Sequence, residues 1–228
     1  MKHSVTVLHA SSAHPPGDNR IFHKECLGLA RRGFTVHYVG QAASALSGYR
    51  EVTAHEIPKP KSRLNRILVA PLQILKIALR VRPQIVHLHD PELIPLGVCL
   101  RLFRFQVVFD AHESLEAQVL SKEYLGPIAA RLSRSLAGIL DWTTANLFTA
   151  TVFANFQVTT RHDSRKVRVI RNFPELTVWK DYKPEPSRRA RVVAYVGVLA
   201  PMRGTDNIVD AVAAVSYTHL RAHETLRY

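Results

Sequence analysis

Residues 85–112 read IVHLHDPELIPLGVCLRLFRFQVVFDAH, and this stretch decides the fold. Two short apolar runs, IVHLHD at 85–90 and QVVFDAH at 106–112, have the length and composition of buried strands. The span between them, residues 92–103, reads as a helix. A strand, a helix and a second strand in this order predict a crossover between neighbouring parallel strands. Outward in both directions the alternation continues. HSVTVLHA at 3–10 reads as a strand, 19–32 as a helix ended by Gly33, FTVHYVG at 34–40 as a strand, and 51–57 as a weaker one. A long basic helix follows over 63–81, and a second long helix over 127–147. ANLFTAT and KVRVIRN supply two further candidate strands. The expectation is an α/β domain around a largely parallel sheet over residues 1–172.

Composition agrees with a globular chain. It has 228 residues, 46% hydrophobic and 21% charged, so a disordered chain is excluded. Two cysteines, Cys26 and Cys99, exclude a disulfide scaffold and point to a reducing, cytoplasmic setting. The excess of 31 Lys and Arg over 18 Asp and Glu gives +13, which calls for an anionic partner. No run reaches the roughly eighteen apolar residues of a spanning helix. No nucleic-acid-binding signature accompanies the charge, so nucleic acid is not the expected partner.

The segment 173–190 carries Pro174, Pro184 and Pro186 without periodicity and reads as a linker. RVVAYVGVL at 191–199 then opens a strand, and TDNIVDAVAAV at 205–215 a helix. These are expected to be the start of a second, truncated α/β unit, since one strand and one helix cannot bury their own apolar faces. The tail at 216–228, SYTHLRAHETLRY, breaks the preceding pattern and resembles translated sequencing-adapter read-through. It is expected to be non-native, and no function is assigned to it.

Ligands of open parallel sheets bind beyond the carboxyl ends of the strands. That rule selects the loop with His14, Gly17, Asp18 and Arg20, the group His87, His89, Asp90 and Glu92, and the group Asp110, His112, Glu113 and Ser114. Gly17 permits close backbone approach, and Asp18 serves equally as a helix cap. His87 and His89 lie two apart, on one face of their strand. Packing or hydrogen bonding is the preferred reading for both, because spacing fixes no third metal ligand; no metal is expected. In the second unit, Gly197, Arg203, Gly204 and Thr205 precede a helix. Gly197 admits backbone, Thr205 can cap, and Arg203 offers a fork to phosphate.

DNRIFHKECLGLARRGFTVHYVG, IVHLHDPELIPLG, VVFDAHES, VIRNFP and YVGVLAPMRGTDNIVDA, in that order over residues 4–215, resemble the family 4-like glycosyltransferases of the GT-B fold. The resemblance implies two Rossmann-like domains facing across a cleft, the first binding the acceptor and the second a nucleotide-diphosphate sugar. It implies transfer with retention, without a metal or other cofactor, in polysaccharide or glycolipid assembly. His112 matches the histidine near the donor sugar. Gly17 lies in a loop bordering the cleft, where Asp18, Arg20, His89, Asp90 and Glu113 are also expected. Arg203 matches a basic position that contacts the donor diphosphate. Val198 stands where many relatives carry a basic residue, and the Glu-rich donor motif is missing. The chain alone is therefore expected to be inactive.

Between Lys59 and Arg82 the chain carries Lys59, Lys61, Arg63, Arg66, Lys76, Arg80 and Arg82 and no acid. Leu64, Ile67, Leu68, Leu72, Leu75 and Leu79 fall mostly on one helix face. Such a helix suits an anionic membrane, with a lipid-linked or glycan acceptor and a peripheral position on the cytoplasmic face. The plainer reading makes the apolar stripe core. The alternative to a transferase is a non-catalytic module that binds an acceptor or a membrane.

Overall fold

The computed structural model describes residues 4–111, 126–154, 165–174, 176, 180–181, 194–197, 199 and 203–215. The chain divides into two compact units, 1–173 and 174–228.

The first unit is built on one parallel sheet of seven strands: β1 (Thr6–Ala10), β2 (Thr35–Gln41), β3 (Val52–Ile57), β4 (Ile85–Leu88), β5 (Gln106–Ala111), β6 (Ala150–Phe153) and β7 (Val167–Val169). Their spatial order is β3-β2-β1-β4-β5-β6-β7. Order runs backward from β1 to β3 and forward from β4 to β7, so the topological switch lies between β1 and β4. This is the Rossmann-like sheet expected from the sequence. The strand predicted over ANLFTAT is displaced. The preceding helix runs through Leu147 and the strand begins at Ala150.

Register assigns the two faces. Val7 and His9 of β1 stand beside Val36 and Tyr38 of β2, and His9 stands beside His87 of β4. His87 in turn pairs with Val108 of β5, which places Asp110 on the same face two residues on. The opposite face carries Leu8, Val39, Val86, Leu88, Val107, Phe109 and Phe153. That apolar face packs against the helices α2 (Arg63–Val81), α3 (Ile94–Leu102) and α4 (Pro127–Leu147), whereas α1 (Leu27–Ala30) lies on the other side. From α2 it receives Ala70, Ile74 and Ala78, spaced four apart. Gly97 of α3 lies where a Cβ would run into the Phe148 ring and Leu88, which makes glycine necessary for this close approach.

The other face is covered by a wide helical turn, Asn19–Cys26, that continues into Leu27–Ala30. The His23 amide bonds the Asp18 carbonyl at 3.3 Å, an i→i+5 contact, and the Phe22 amide bonds the same oxygen at 2.9 Å. Ile21, Phe22 and Cys26 pack on Val36 and Tyr38.

In the second unit, α5 (Thr205–Val215) matches the predicted helix. The described residues of the predicted strand, 194–197 and 199, carry no strand, and Val196 is 97% exposed.

Candidate functional site

The switch point is where the polar residues gather. β1 ends at Ala10 and β4 at Leu88, so Ser11, Ser12, His89 and Asp90 emerge side by side. Asp90 is buried and acts as the hub. Its Oδ2 accepts from the Ser11 hydroxyl at 2.8 Å, the Ser12 amide at 2.6 Å and the Ala13 amide at 3.2 Å. Its Oδ1 lies 2.9 Å from His14 Nδ1. Burial alone would push the Asp90 carboxyl up, but the His14 bond, the His14 charge and the Ser12 amide bring it down to about 2. The Asp90 bond correspondingly raises His14 above the usual histidine range, against the opposing effect of burial. Glu92 joins by accepting from the Ser12 hydroxyl at 3.1 Å and by pairing with Arg66 at 2.6 Å. Gln41 also donates to the Ser12 carbonyl. The loop after β1 is thus fixed at its root, with His14 turned to Asp90 and Gly17 exposed.

Gly17 has φ +76°, the left-handed region that glycine enters at little cost. Asp18 caps the turn that follows, its Oδ1 accepting from the Arg20 and Ile21 amides at 2.9 Å each. Arg20, expected on the cleft, is instead buried. Its Nε and Nη2 donate to the two oxygens of Asp110 at 2.8 and 2.7 Å, and Nη1 donates to the Ile170 carbonyl at 2.9 Å. Asp110 is fully buried. Burial would raise its carboxyl, but His89 and Arg20 hold it well below the usual carboxylate range.

Next to this pair lies a group that spacing along the chain could not assemble. His9, His87 and His89 share one face of the β1–β4 seam, and Glu25 descends onto them from the turn. The His9 and His89 rings stack at 5.3 Å, with His9 Nδ1 3.0 Å from His89 Nε2. Burial, then the nearby Asp110 charge, pushes the Glu25 carboxyl far up, against the pull of Arg20. Burial and the neighbouring imidazoles hold His9 well below the usual histidine range. The signal for this group was in the sequence as HxH in one strand and His9 in another. Only the register of β1 against β4 joins them.

In the second unit, Gly204 has φ +66° and its carbonyl accepts from the Ile208 amide at 3.1 Å. Helical bonding therefore begins at Gly204, and Thr205 is the first helical residue rather than the cap. Arg203 directly precedes this helix start, and Gly197 has φ +156°. His112, Glu113 and Val198 lie outside the described residues.

Solved structures share this fold. HepE from Anabaena, solved with UDP and glucose, aligns with a TM-score of 0.61 at 15% identity, covering 92% of this chain and 58% of HepE. Sucrose-phosphate synthase from Thermosynechococcus elongatus aligns with a TM-score of 0.64 at 14% identity, covering 93% of this chain and 60% of the synthase. The forosaminyltransferase SpnP gives 0.54 at 14% identity, covering 97% of this chain and 68% of SpnP. The chain thus spans about three fifths of the length of HepE and of the synthase. No curated protein matches the sequence. The sequence profile of Glycosyltransferase Family 4 matches residues 2–177. With well over half of its length inside that profile and a first unit of the Rossmann-like GT-B type, the chain belongs to Glycosyltransferase Family 4.

Proposed function

We propose that this chain is the acceptor-side part of a retaining glycosyltransferase that moves a sugar from a nucleotide-diphosphate sugar to a glycan or lipid-linked acceptor. The family match over residues 2–177 carries the reading, and the likeness to HepE, solved with UDP and glucose, supports the donor class. In such a transfer the anomeric C–O bond to the diphosphate breaks and a bond to an acceptor oxygen forms on the same sugar face. The departing diphosphate gathers negative charge, and the catalytic demand is to stabilise it. The amino end of α5, with Arg203, Gly204 and Thr205, supplies amides and a guanidinium for that purpose, and Gly197 allows backbone approach. His112 takes the place beside the transferred sugar, with Glu113 next to it. No metal is needed for this step. The acceptor approaches over the β1 loop, where Gly17 is exposed and Asp90, paired with His14, holds the loop in shape.

The proposal extends to a membrane, reached from the cytoplasmic face, for assembly of a polysaccharide or glycolipid. On α2 the inward residues are Ala70, Ile74 and Ala78, whereas Leu64, Leu68 and Leu72 are 69%, 63% and 60% exposed. Leu64, Leu68 and Leu72 of the leucine stripe thus stand outside the core, whereas Leu75 packs against it. Exposed Lys61, Lys76 and Arg80 lie on the same helix or just before it. Apolar side chains with basic neighbours suit the headgroup region of an anionic bilayer. No described helix is long and apolar enough to cross one. The chain is expected to float with vesicles containing phosphatidylglycerol and not with pure phosphatidylcholine, and Leu68→Glu with Leu72→Glu should abolish flotation. Equal binding to both vesicles, or no effect of the glutamates, would contradict the membrane role.

A further inference from the structure

We propose that His9, Glu25, His87 and His89 form a site for one divalent transition-metal ion, Zn²⁺ by preference, which ties the β1–β4 seam to the Asn19–Cys26 turn. The four ligand atoms lie within 4.8 Å of one another. Glu25 Oε2 stands at the centre of the group. It is 3.8 Å from His9 Nδ1, 3.7 Å from His87 Nδ1 and 3.9 Å from His89 Nε2. The fourth separation, His9 Nδ1 to His89 Nε2, is 3.0 Å. Zinc holds imidazole nitrogen and carboxylate oxygen at about 2.0–2.2 Å, which sets tetrahedral ligands about 3.3–3.6 Å apart. The observed separations lie around that range, so small ring rotations would close the site.

Two further features favour an ion. Among the described residues, Glu25 Oε2 is buried without a hydrogen-bond partner, a costly condition for a polar atom. A cation would satisfy Glu25 Oε2, which the three imidazoles approach too distantly for hydrogen bonding. The other ring nitrogen of His89, Nδ1, lies 3.5 Å from Asp110 Oδ2. A carboxylate behind a ligating imidazole fixes its ring and raises its basicity, and Asp110 is itself held by Arg20. Three imidazoles with one carboxylate select zinc, cobalt, nickel or copper over magnesium or calcium. The ion would be structural. It joins three segments of the first unit and has no part in the proposed sugar transfer, so its test does not depend on that reading.

The test uses the whole chain without a purification tag, stripped with chelator and titrated with Co²⁺, then Zn²⁺. One equivalent of Co²⁺ should bind with the strong visible absorption of a tetrahedral ion, and Zn²⁺ should displace it and raise the melting temperature. Glu25→Gln and His87→Ala should each weaken binding by at least the roughly 10–100-fold that the loss of an outer-shell partner costs. His37→Ala with His55→Ala, which removes the separate imidazole pair at 2.9 Å, should leave it unchanged. A folded wild-type chain that takes up no stoichiometric Co²⁺, or shows only the pale octahedral spectrum, overturns the site. So does binding retained in Glu25→Gln. If either variant fails to fold, the wild-type titration and spectrum decide alone.

Discussion

Arg20→Met should lower the unfolding free energy of the first unit by about 3–5 kcal/mol, the cost of leaving one partner of a buried ion pair alone. Asp110 is fully buried, and Arg20 supplies two of its hydrogen bonds. Methionine keeps much of the arginine stem but none of the donors. The Asp110 charge then has no fork to meet it, and the Ile170 carbonyl loses its donor. A domain of this size has a total stability of about 5–15 kcal/mol, so the variant stands near the unfolding threshold. The urea midpoint measures the loss. Arg20→Met combined with Asp110→Leu should recover part of it, because the double replacement removes both charges of the pair, while Glu25 still loses its Arg20 contact at 3.4 Å. A single variant as stable as the wild type would mean that water reaches Asp110 and that the pair does not hold β5 to the turn.

Asp90→Ala should cost about 3 kcal/mol. The substitution leaves the Ser12 and Ala13 amides and the Ser11 hydroxyl without their acceptor, at roughly 1–3 kcal/mol for each buried group that water cannot reach. The loss should concentrate at the root of the β1 loop. Hydrogen exchange at the Ser12 and Ala13 amides should therefore accelerate more than exchange in the β5 ladder. Asp90→Asn keeps an acceptor oxygen but loses the charge facing His14, and should fall between wild type and alanine. Uniform acceleration across the sheet would show instead that Asp90 supports the whole unit rather than the loop.

Much of this architecture was legible in the sequence, because apolar periodicity reports burial directly. Helices over 63–81 and 127–147 match α2 and α4 residue for residue, and the parallel sheet followed from the alternation of elements. Boundaries failed where one residue type serves two elements. Ala145, Asn146 and Leu147 suit a strand but complete the last turn of α4, whose Ala145 packs inward. The leucines of α2 were found as a stripe, yet hydrophobicity alone could not say which stripe the sheet would take. The smaller Ala70, Ile74 and Ala78 allow the helix to approach closely, and they won the inner face.

The candidate site was legible only in part. The strand-end rule found His89, Asp90 and the loop holding Gly17 and Asp18, since it needs topology but no side-chain detail. It gave Arg20 a place facing ligand because arginine is seldom buried. The partner that buries it, Asp110, lies ninety residues away in sequence, and no local pattern encodes that pairing. Glu25 and His9 were passed over for the same reason. Their relation to His87 and His89 depends on the β1–β4 register and on a turn with i→i+5 bonding, which α-helical spacing does not reproduce.

The central claim is that this chain serves sugar transfer from a nucleotide-diphosphate donor. The most direct test is to express the full-length protein from its natural gene and to measure transfer of labelled sugar from UDP-, GDP- and ADP-sugars to glycan and lipid-linked acceptors. The account predicts donor-dependent transfer with release of nucleoside diphosphate, product of the same anomeric configuration as the donor, and loss of transfer in His112→Ala and Arg203→Ala. A folded protein that neither binds nor consumes any of these donors would contradict it and leave a module that holds an acceptor or a membrane.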